Sequence, residues 1–250
     1  MKPRVSVVVT ARDEGDSILG ALRRICAAVT LPSEVLVVCD SPEDPTVPWV
    51  EKYAEEDDHV RLVLNTYGPG PARAIRAGFD SAVADVVVVT MADGCDDPQQ
   101  IDQLTRLVER GVVVAAASRY SRGGQQVGGP LVKGLMSRVA GATLRILARV
   151  GTWDPTNSFK AYDRRFVHEV GIHSDQGFEV GLELVAKARR LRRPVAEVPT
   201  IWLDRTLGVS HFKLVKWVPA YLRWYSFAFG PRLDVDKMRE LLSASSERGT

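Results

Sequence analysis

The feature that most constrains the fold is an alternation of short apolar runs with amphipathic stretches through the first half of the chain. The apolar runs are rich in β-branched residues and predict strands at Val5–Val9, Val35–Cys39, Val60–Leu64, Val86–Thr90 and Val112–Ala117. The stretches between them predict helices at Asp16–Val29, Thr46–Ala54, Pro71–Ala84 and Pro98–Arg110. Such alternation predicts βαβ units, and therefore a Rossmann-like α/β fold: a mainly parallel sheet with helices on both faces.

The character of the sequence changes after Tyr120, where a glycine-rich loop begins. The later elements predicted are a helix at Leu131–Val150, a polar turn at Trp153–Lys160, a helix at Gly177–Leu191 and a strand at Val195–Trp202. We divide the chain into a catalytic domain (1–212), an amphipathic segment rich in aromatic and basic residues (213–230), and a C-terminal helix with a mobile polar tail (231–250).

Composition excludes several classes of protein. The net charge of +2 is too small to favour nucleic-acid binding. Three cysteines and four histidines without ligand spacing argue against a disulfide framework or a zinc site. No apolar run approaches the roughly 20 residues that span a bilayer, and no signal-peptide core follows the N-terminus. We therefore expect a soluble or peripheral protein of the cytoplasm.

Carboxylates follow three of the predicted strands, in the segments 10–14, 39–44 and 91–98. Because the carboxyl ends of parallel strands meet at one edge of a sheet, these side chains should lie together. Asp13, Asp44 and Asp97 could each simply cap the following helix. Together, however, carboxylates at one edge can accept hydrogen bonds from a base or ribose and can hold a divalent cation against a pyrophosphate.

A dinucleotide-binding dehydrogenase is the natural rival for this architecture. It would need a glycine-rich turn after the first strand, and Thr10–Gly15 is not one. The pair Gly68 and Gly70 follows the third strand instead and has no third glycine at the required spacing. We therefore set the dehydrogenase interpretation aside.

Four blocks of the first half resemble family 2 glycosyltransferases with the GT-A fold. The segment VSVVVTARDEG is similar to the family's opening VSVVVPAYNE, and EVLVVCDSPEDPT to its second-strand segment EIIVVDDGSxDGT. NTYGPGPARAIRAGF matches its N-x-G-x-G-x-A-R-N-x-G block, and VVVVTMADGCDDPQQI occupies the place of its Asp-x-Asp strand end. The resemblance implies a nucleotide-sugar donor at this edge of the sheet.

The second half narrows the resemblance to dolichyl- or polyprenyl-phosphate mannosyltransferases. The matching blocks are ASRYSRGG, WDPTNSFKAYDRR, GFEVGLELVAKARR and VAEVPTIWLDRTLGVSHFKL, and the resemblance covers about residues 4–213. It implies transfer of a sugar, most often mannose from GDP-mannose, onto a prenyl monophosphate with inversion. A UDP-sugar donor, for glucose or another hexose, stays open.

The resemblance also implies the residues of the donor site. Its donor-binding positions fall on Thr10, Ala11, Arg12, Glu14, Asp40, Pro71, Arg73, Met91, Ala92 and Asp93. A Mg²⁺ or Mn²⁺ ion would be held by Asp93 with help from Asp96. The chain departs from the family at Met91, which replaces the first aspartate of Asp-x-Asp, and at Cys95, which replaces another metal-ligand position. The ribose contact and the choice of sugar are therefore left open.

On the acceptor side, the implied residues are mainly cationic. A prenyl monophosphate has its second pKa at about 6, so it is already a nucleophile at neutral pH and needs cations rather than a base. The acceptor-binding candidates are Arg119, Lys133, Ser137, Ser158, Lys160 and Arg205. The catalytic candidates are Asp93, Arg119, Lys133 and Arg205. Each cation could equally be a solvated surface charge.

The segment from Phe212 to Phe229 interleaves aromatic with basic residues. It could be a core helix, because Trp and Tyr bury large areas. It could also lie at a membrane interface, with the aromatic rings of Trp217, Trp224, Phe227 and Phe229 at headgroup depth. Since a polyprenyl acceptor resides in a bilayer, we predict the interface and thus peripheral contact with the cytoplasmic face. A separate membrane partner or a homo-oligomer stays open.

Two other functions stay open at this stage. A related transferase could act on a soluble hydroxyl acceptor, and it would need a general base among Asp93, Asp96, Asp97 and Glu183. Alternatively, the chain could bind a nucleotide sugar without catalysis, which Met91 makes conceivable.

Overall fold

The alternating first half folds as predicted into strands joined by helices. The computed structural model describes residues 2–204 and 214–247. In chain order the first elements are β1 (Val5–Thr10), α1 (Ile18–Ala28), β2 (Ser33–Cys39), α2 (Val47–Glu56), β3 (Val60–Leu64), α3 (Pro71–Ser81), β4 (Val86–Met91), α4 (Ile101–Glu109) and β5 (Val114–Ser118). Short 3₁₀ turns at Gly15–Ser17 and Pro98–Gln100 precede α1 and α4. Every predicted strand and helix of this half is confirmed to within a few residues.

The second half contains more elements than the sequence predicts. They are β6 (Gln125–Val127), α5 (Leu131–Thr143), β7 (Lys160–Asp163), α6 (Arg164–Val170), α7 (Val180–Arg190), β8 (Val195–Pro199), β9 (Ile201–Leu203), α8 (Leu214–Ala228) and α9 (Val235–Glu247). After α5 the helix continues as a π turn over Leu144–Ala148. The single strand predicted at Val195–Trp202 is two strands, β8 and β9, that belong to different sheets.

The main sheet is mostly parallel, as predicted. Within the described residues it has seven strands in the order β3-β2-β1-β4-β7-β5-β8, and β7 alone runs antiparallel to its neighbours β4 and β5. Strands β6 and β9 pair in a separate two-stranded ribbon. Because β5 is therefore parallel to β4, the carboxyl ends of β1, β2, β4 and β5 point to the same edge of the sheet.

Both faces of the sheet are buried, which explains the continuous valine runs. Val8 and Leu36 belong to a core under α3, α7 and α8, while Val7 and Val37 belong to a second core under α1 and α4. Successive side chains of a strand point to opposite faces, so a strand covered by helices on both sides has no polar face. The alternating cores confirm the α/β architecture.

Strand β7 and helix α6 lie where the sequence analysis predicts only a polar turn followed by unassigned chain. Lys160, placed at the end of that turn, is the first residue of β7 and is fully buried. A four-residue strand beginning with a lysine lacks the apolar pattern by which strands are recognised. This segment nevertheless forms a strand because β4 and β5 supply hydrogen-bond partners on both sides of it.

The segment 213–230, predicted to lie at a membrane interface, contains a helix that packs on the core. Helix α8 packs on α7, and Trp224 is only 1% exposed within the core. The Lys187 ammonium and the Arg190 guanidinium lie over the rings of Trp224 and Phe227, at 5.3 Å and 4.3 Å. The alternative of a core helix is therefore the better description of α8, because its large rings fill the space beside α7. Phe212 and Lys213 lie outside the described residues.

The C-terminal segment also differs from the prediction. Helix α9 continues to Glu247, so Ser243–Glu247 is helical and not part of a mobile tail. Its residues Met238 and Leu242 are buried against the core, which gives this helix a reason to extend. Among residues 2–204 and 214–247, no helix combines the length and the apolar character that crossing a bilayer requires.

Candidate active site

The ends of the parallel strands meet at one edge of the sheet and are joined there by backbone hydrogen bonds. The Ala11 N–H donates to the Val38 carbonyl at 3.0 Å, and the Ala92 N–H donates to the Thr10 carbonyl at 3.2 Å. The Thr10 hydroxyl oxygen is buried and has no hydrogen-bond partner in the described part of the chain. A buried hydroxyl of this kind normally has a partner, so it fits a position that contacts a ligand.

Asp40, the residue expected to contact the base, is held by two donors. The Asn65 side-chain amide donates to one carboxylate oxygen at 2.8 Å, and the Gly70 N–H donates to the other at 3.0 Å. Gly70 has φ +134°, a conformation that side chains rarely adopt, and Pro71 begins α3 directly after it. The sequence analysis missed Asn65, although it opens the NTYGPGPARAIRAGF block. The signal that could have identified it is a side-chain amide, which can donate hydrogen bonds, placed three residues before Gly68 in this block.

The loop after β1 is held by the loop after β2. The Asp13 N–H donates to Asp44 Oδ2 at 3.1 Å, and the Glu14 N–H donates to Thr46 Oγ1 at 3.0 Å. Asp13 itself has φ +56°. The helix-capping alternative for Asp44 is thus incomplete: its Oδ1 accepts locally from the Thr46 N–H at 2.8 Å, while Oδ2 fixes a neighbouring loop. Together these bonds hold Arg12 and Glu14 at the edge of the sheet where the parallel strands end.

Asp93 and Asp96 form the candidate metal site. Asp93 Oδ1 accepts from the Cys95 N–H at 3.0 Å, and Asp96 Oδ2 accepts from the Thr90 hydroxyl at 2.8 Å. Burial and the negative charge of Asp93 raise the pKa of Asp96 to about 7. Two carboxylates that repel each other in a partly buried place fit a hard divalent cation, which would offset their charge. The residues present therefore fit Mg²⁺ or Mn²⁺.

The neighbouring positions contribute less to such a site. Met91 and Cys95 offer only sulfur, which is a poor ligand for magnesium, and Cys95 is buried. Asp97 accepts from the Gln99 N–H at 3.1 Å and caps the 3₁₀ turn, so its capping alternative is confirmed. Within the described residues, a cluster of three candidate ligands occurs at Asp57–His59, but it is exposed and precedes β3 at the opposite edge of the sheet.

Arg119, at the end of β5, is paired with Asp154. Its Nε and Nη2 donate to the two carboxylate oxygens at 2.7 Å and 2.9 Å, and its backbone N–H donates to Oδ2 at 3.0 Å. The two side chains are 11% and 0% exposed. Burial alone would lower the pKa of Arg119, but the Asp154 charge and hydrogen bonds raise it above its ordinary value. Arg119 is thus a buried, permanently charged group that is partly neutralised, rather than the free cation expected from the sequence.

Lys160 lies beneath this pair and not on the surface of the site. Its ammonium donates to the Asn157 carbonyl, and burial lowers its pKa to about 7 despite the opposing charge of Asp154. Its side chain is fully enclosed among buried groups, so this geometry gives the ammonium no direct access to an acceptor. Ser158, two residues earlier, is partly exposed.

Two further candidates lie on α5, which packs against the turn that carries Asp154. The Ser137 hydroxyl is hydrogen-bonded to that of Thr156, and Arg119 Nη2 lies 3.5 Å from Ser137 Oγ. Lys133, one turn earlier, is partly exposed. The approach is close at Gly141, where an added Cβ would lie 2.1 Å from the Trp153 carbonyl oxygen. A glycine at this position is therefore required for α5 to reach the site.

Arg205, the last predicted acceptor residue, lies outside the described residues. Asp204 immediately before it was missed by the sequence analysis. Its carboxylate accepts from the Gly129 N–H at 3.0 Å, and its N–H donates to the Val127 carbonyl at 2.9 Å. These bonds hold the loop that leads into α5.

Glu183, one of the candidate general bases, is part of a buried structural cluster. It forms an ion pair with Lys187 and accepts from the backbone N–H groups of His173 and Ser174 at 2.7 Å and 2.8 Å. Burial alone would raise the pKa of Glu183, but the Lys187 charge and these hydrogen bonds lower it to about 2. A carboxylate with so many partners is a poor base, so this cluster holds α7 in place.

Comparison with known proteins gives consistent results. Residues 6–171 match the model of Glycosyl transferase family 2. The chain is 28% identical to a polyprenol monophosphomannose synthase from Mycolicibacterium smegmatis, over 86% of each chain. It is 30% identical to a dolichol-phosphate mannosyltransferase from Pyrococcus furiosus, over 88% of this chain and 62% of that one.

A solved structure supports the fold. It is glucosyl-3-phosphoglycerate synthase from Mycobacterium tuberculosis in complex with Mn²⁺, UDP and glucosyl-3-phosphoglycerate. It matches this chain with a TM-score of 0.67 and 17% identity, over 92% of this chain and 81% of the other. The sheet with its carboxylate edge, the family match and this shared fold agree, and the chain therefore belongs to glycosyltransferase family 2, with the GT-A fold.

Proposed function

We propose that this glycosyltransferase moves a sugar from a nucleotide diphosphate to a polyprenyl or dolichyl monophosphate, with inversion, and makes a lipid-linked phosphosugar. The observation that carries the proposal is the state of the carboxylates. Asp154 is paired with Arg119, Glu183 with Lys187, and Asp97 with the 3₁₀ turn. Of the four candidate general bases, Asp93, Asp96, Asp97 and Glu183, this leaves Asp93 and Asp96, which are the metal candidates. A hydroxyl acceptor needs a base, whereas a phosphate dianion does not.

The chemistry divides between the two sides of the site. The acceptor phosphate attacks the sugar carbon, and the nucleoside diphosphate leaves from the opposite face. A divalent cation at Asp93 and Asp96, when bound, would supply positive charge for the leaving diphosphate. Arg119, Lys133 and Arg205 would offset the repulsion between acceptor and donor phosphates, and buried Asp154 fixes the direction of the Arg119 guanidinium.

We propose GDP-mannose as the donor. The support is that four similar curated proteins are named as transferases or synthases of polyprenyl-, undecaprenyl- or dolichol-linked mannose. Asp40 can accept from the N–H edge of guanine, but uracil also offers such a donor. A UDP-sugar is therefore the second candidate, and we expect the donor panel below to separate the two.

The test is an assay with GDP-mannose, UDP-glucose and other nucleotide sugars, each offered with a short polyprenyl phosphate, the matching polyprenol or a soluble sugar. We expect transfer to the phosphate alone, with a rate that falls as pH drops through about 6, where the monophosphate is protonated. Ready glycosylation of polyprenol or the soluble sugar would contradict the proposal. Donor binding without turnover on any acceptor would favour a non-catalytic binding protein.

Because a polyprenyl acceptor resides in a bilayer, the proposal includes peripheral contact of this chain with a membrane, on the cytoplasmic side where nucleotide sugars are made available to it. Whether the chain works alone, as a homo-oligomer or with a separate membrane partner is decided by measuring its mass with and without vesicles.

A further inference from the structure

We infer that the outer face of α5 and of the π turn after it is a membrane-docking surface for an anionic bilayer. We call this the α5 face and define it by six apolar residues: Leu131, Val132, Leu135, Val139, Ile146 and Leu147. The inference rests on the proposed function in one respect, because that function supplies the reason for approaching a membrane. The α5 face takes the place of α8 as the proposed membrane contact, because Trp224 of α8 is buried in the core and Phe227 packs against it.

The α5 face is unusual in its exposure. Its six side chains are 54% to 89% exposed, and the five most exposed large apolar side chains in the described part of the chain all belong to it. Leu131, Leu135 and Val139 recur every four residues and therefore line one side of α5, with Val132 beside them, and Ile146 and Leu147 follow in the π turn. A soluble helix normally turns polar residues outward, and a contiguous exposed apolar surface marks an interaction site.

The inner side of the same helix explains why the apolar side chains point outward. Gly141 meets the Trp153 carbonyl, and Leu144 and Ala148 are fully buried or nearly so. The inner side of the helix therefore carries small residues and one buried leucine, and the larger apolar residues are left outside. The arrangement has apolar side chains on both sides of the helix, which suits a helix lying between a protein and a lipid phase.

The charge around the α5 face selects an anionic partner. The sequence has no Asp or Glu between Glu109 and Asp154, whereas it has six Arg and Lys residues from Arg119 to Arg149. Arg138 and Arg149 are exposed beside the apolar stripe. Basic side chains flanking an apolar helix face attract the negative surface of a bilayer and let their alkyl stems lie on it. A protein partner would need a surface that is both acidic and apolar in a matching arrangement. A bilayer with anionic lipids offers negative charge and apolar chains without any such specific match.

The position of the α5 face would let membrane docking bring the acceptor close to the site. Ser137 on the inner side of α5 contacts Thr156 and lies 3.5 Å from Arg119. The same helix thus has the acceptor site on one side and the docking surface on the other. A phosphate carried at the bilayer surface would reach Arg119 along α5 without leaving the headgroup region.

The test is co-flotation with vesicles of equal parts phosphatidylcholine and phosphatidylglycerol, without donor or acceptor. We expect the full chain to bind these vesicles, to bind pure phosphatidylcholine more weakly, and to be released by salt. The variant carrying Leu131→Ser, Leu135→Ser and Leu147→Ser should bind at least about tenfold more weakly, since each leucine loses its apolar transfer energy. All three positions are exposed, so the fold should persist, and circular dichroism checks this.

The matched control carries Val83→Ser, Leu222→Ser and Leu241→Ser, at side chains that are 47%, 54% and 40% exposed away from the α5 face. It should bind like the unchanged chain. Equal loss in both triple variants, or full binding by the α5 variant, would overturn the inference. So would a homodimer that the α5 variant breaks while no form of the protein binds vesicles, because the α5 face would then join two copies.

The outcomes are separable from those of the proposed function. Transfer to a short prenyl phosphate in vesicle-free buffer should be unchanged in the α5 variant, whereas transfer to a long-chain acceptor in vesicles should fall with binding. Vesicle binding through the α5 face without any transfer to prenyl phosphates would support the docking surface and contradict the proposed function. Efficient transfer by a chain that never binds vesicles would support the function and overturn the docking surface.

Discussion

The two sides of the candidate site, which we call the donor edge (Asp93 and Asp96) and the acceptor edge (Arg119 and Asp154) after their proposed roles, are built in opposite ways. At the donor edge, Asp93 and Asp96 are oriented by nearby groups, and burial together with the charge of Asp93 raises the pKa of Asp96 to about 7. At the acceptor edge, Arg119 and Asp154 are 35 residues apart in sequence and neutralise much of each other's charge. Asp93 and Asp96 thus carry like charges that a cation would offset, whereas the charges of Arg119 and Asp154 offset each other. The difference predicts that changes at the donor edge affect chemistry, and changes at the acceptor edge affect stability as well.

The largest effect should come from Asp93→Asn. Turnover should fall by about a thousandfold or more, because the leaving diphosphate loses the group that holds its cation. Steady-state kinetics with added Mg²⁺ or Mn²⁺ measure the loss, and EDTA should reproduce it in the unchanged enzyme. Asp97→Asn is the matched control, since Asp97 caps a turn: it should cost at most about 1 kcal/mol of stability and leave turnover nearly intact. Full activity in EDTA would contradict the metal assignment.

Arg119→Ala should lower both the stability and the turnover of the enzyme. It leaves Asp154 charged, buried and unpaired, so the free energy of unfolding should drop by about 3–5 kcal/mol. Turnover should also fall well over tenfold, because a charge-assisted bond to phosphate contributes about 1.5–3 kcal/mol. Urea unfolding and kinetics measure the two losses separately. The exposed Arg122→Ala serves as the control and should change neither. A stable, active Arg119→Ala enzyme would remove the contrast between the two edges.

A smaller effect is expected for Gly141→Ala. The new methyl group would meet the Trp153 carbonyl at 2.1 Å, so α5 must move away from the turn that carries Asp154. We expect a loss of about 1–3 kcal/mol in the free energy of unfolding and a higher KM for the acceptor, with the KM for the donor unchanged. Gly20→Ala in α1 has open space around the new methyl group and should instead be neutral or stabilising by up to about 1 kcal/mol. Equal behaviour of the two variants would show that α5 is not held as described.

The pH dependence of metal binding sharpens the comparison further. Because the pKa of Asp96 is raised to about 7, protons compete with the cation below that pH. The Kd for Mn²⁺ should therefore weaken by up to about tenfold per unit as pH falls from 7 to 6, and become nearly constant above 8. Calorimetry in buffers of different ionisation enthalpy should detect about one proton released near pH 6.

The same raised pKa has a consequence for stability in the absence of metal. A carboxyl group whose pKa is higher in the folded state makes the protein less stable as pH rises from about 4 to about 7. The neutral variant Asp96→Asn avoids this loss. It should melt at a higher temperature than the unchanged protein at pH 8 and at the same temperature below pH 4. An Asp96→Asn protein with lower stability at pH 8 would contradict the repulsion between the two carboxylates.

Local sequence patterns determined the parallel sheet and the carboxylates at its edge. These features depend on residues that are near one another in the chain: apolar runs for strands, glycine and proline for loops, and acidic residues at strand ends. The resemblance to the family added the order of the blocks along the chain, and from it we predict the metal pair Asp93 and Asp96 and the roles of Asp40 and Arg119.

Tertiary structure decided the rest. Only the sheet could give Lys160 a place in β7, between two strands distant in sequence. Only packing could pair Arg119 with Asp154, or bury Trp224 of α8 while leaving Leu131 of α5 89% exposed. An apolar helical pattern predicts that a helix has an apolar neighbour. Which neighbour buries it depends on which other elements pack against that helix. For α8 that neighbour is α7. For the outer face of α5 the described residues provide none, and we propose that a membrane does.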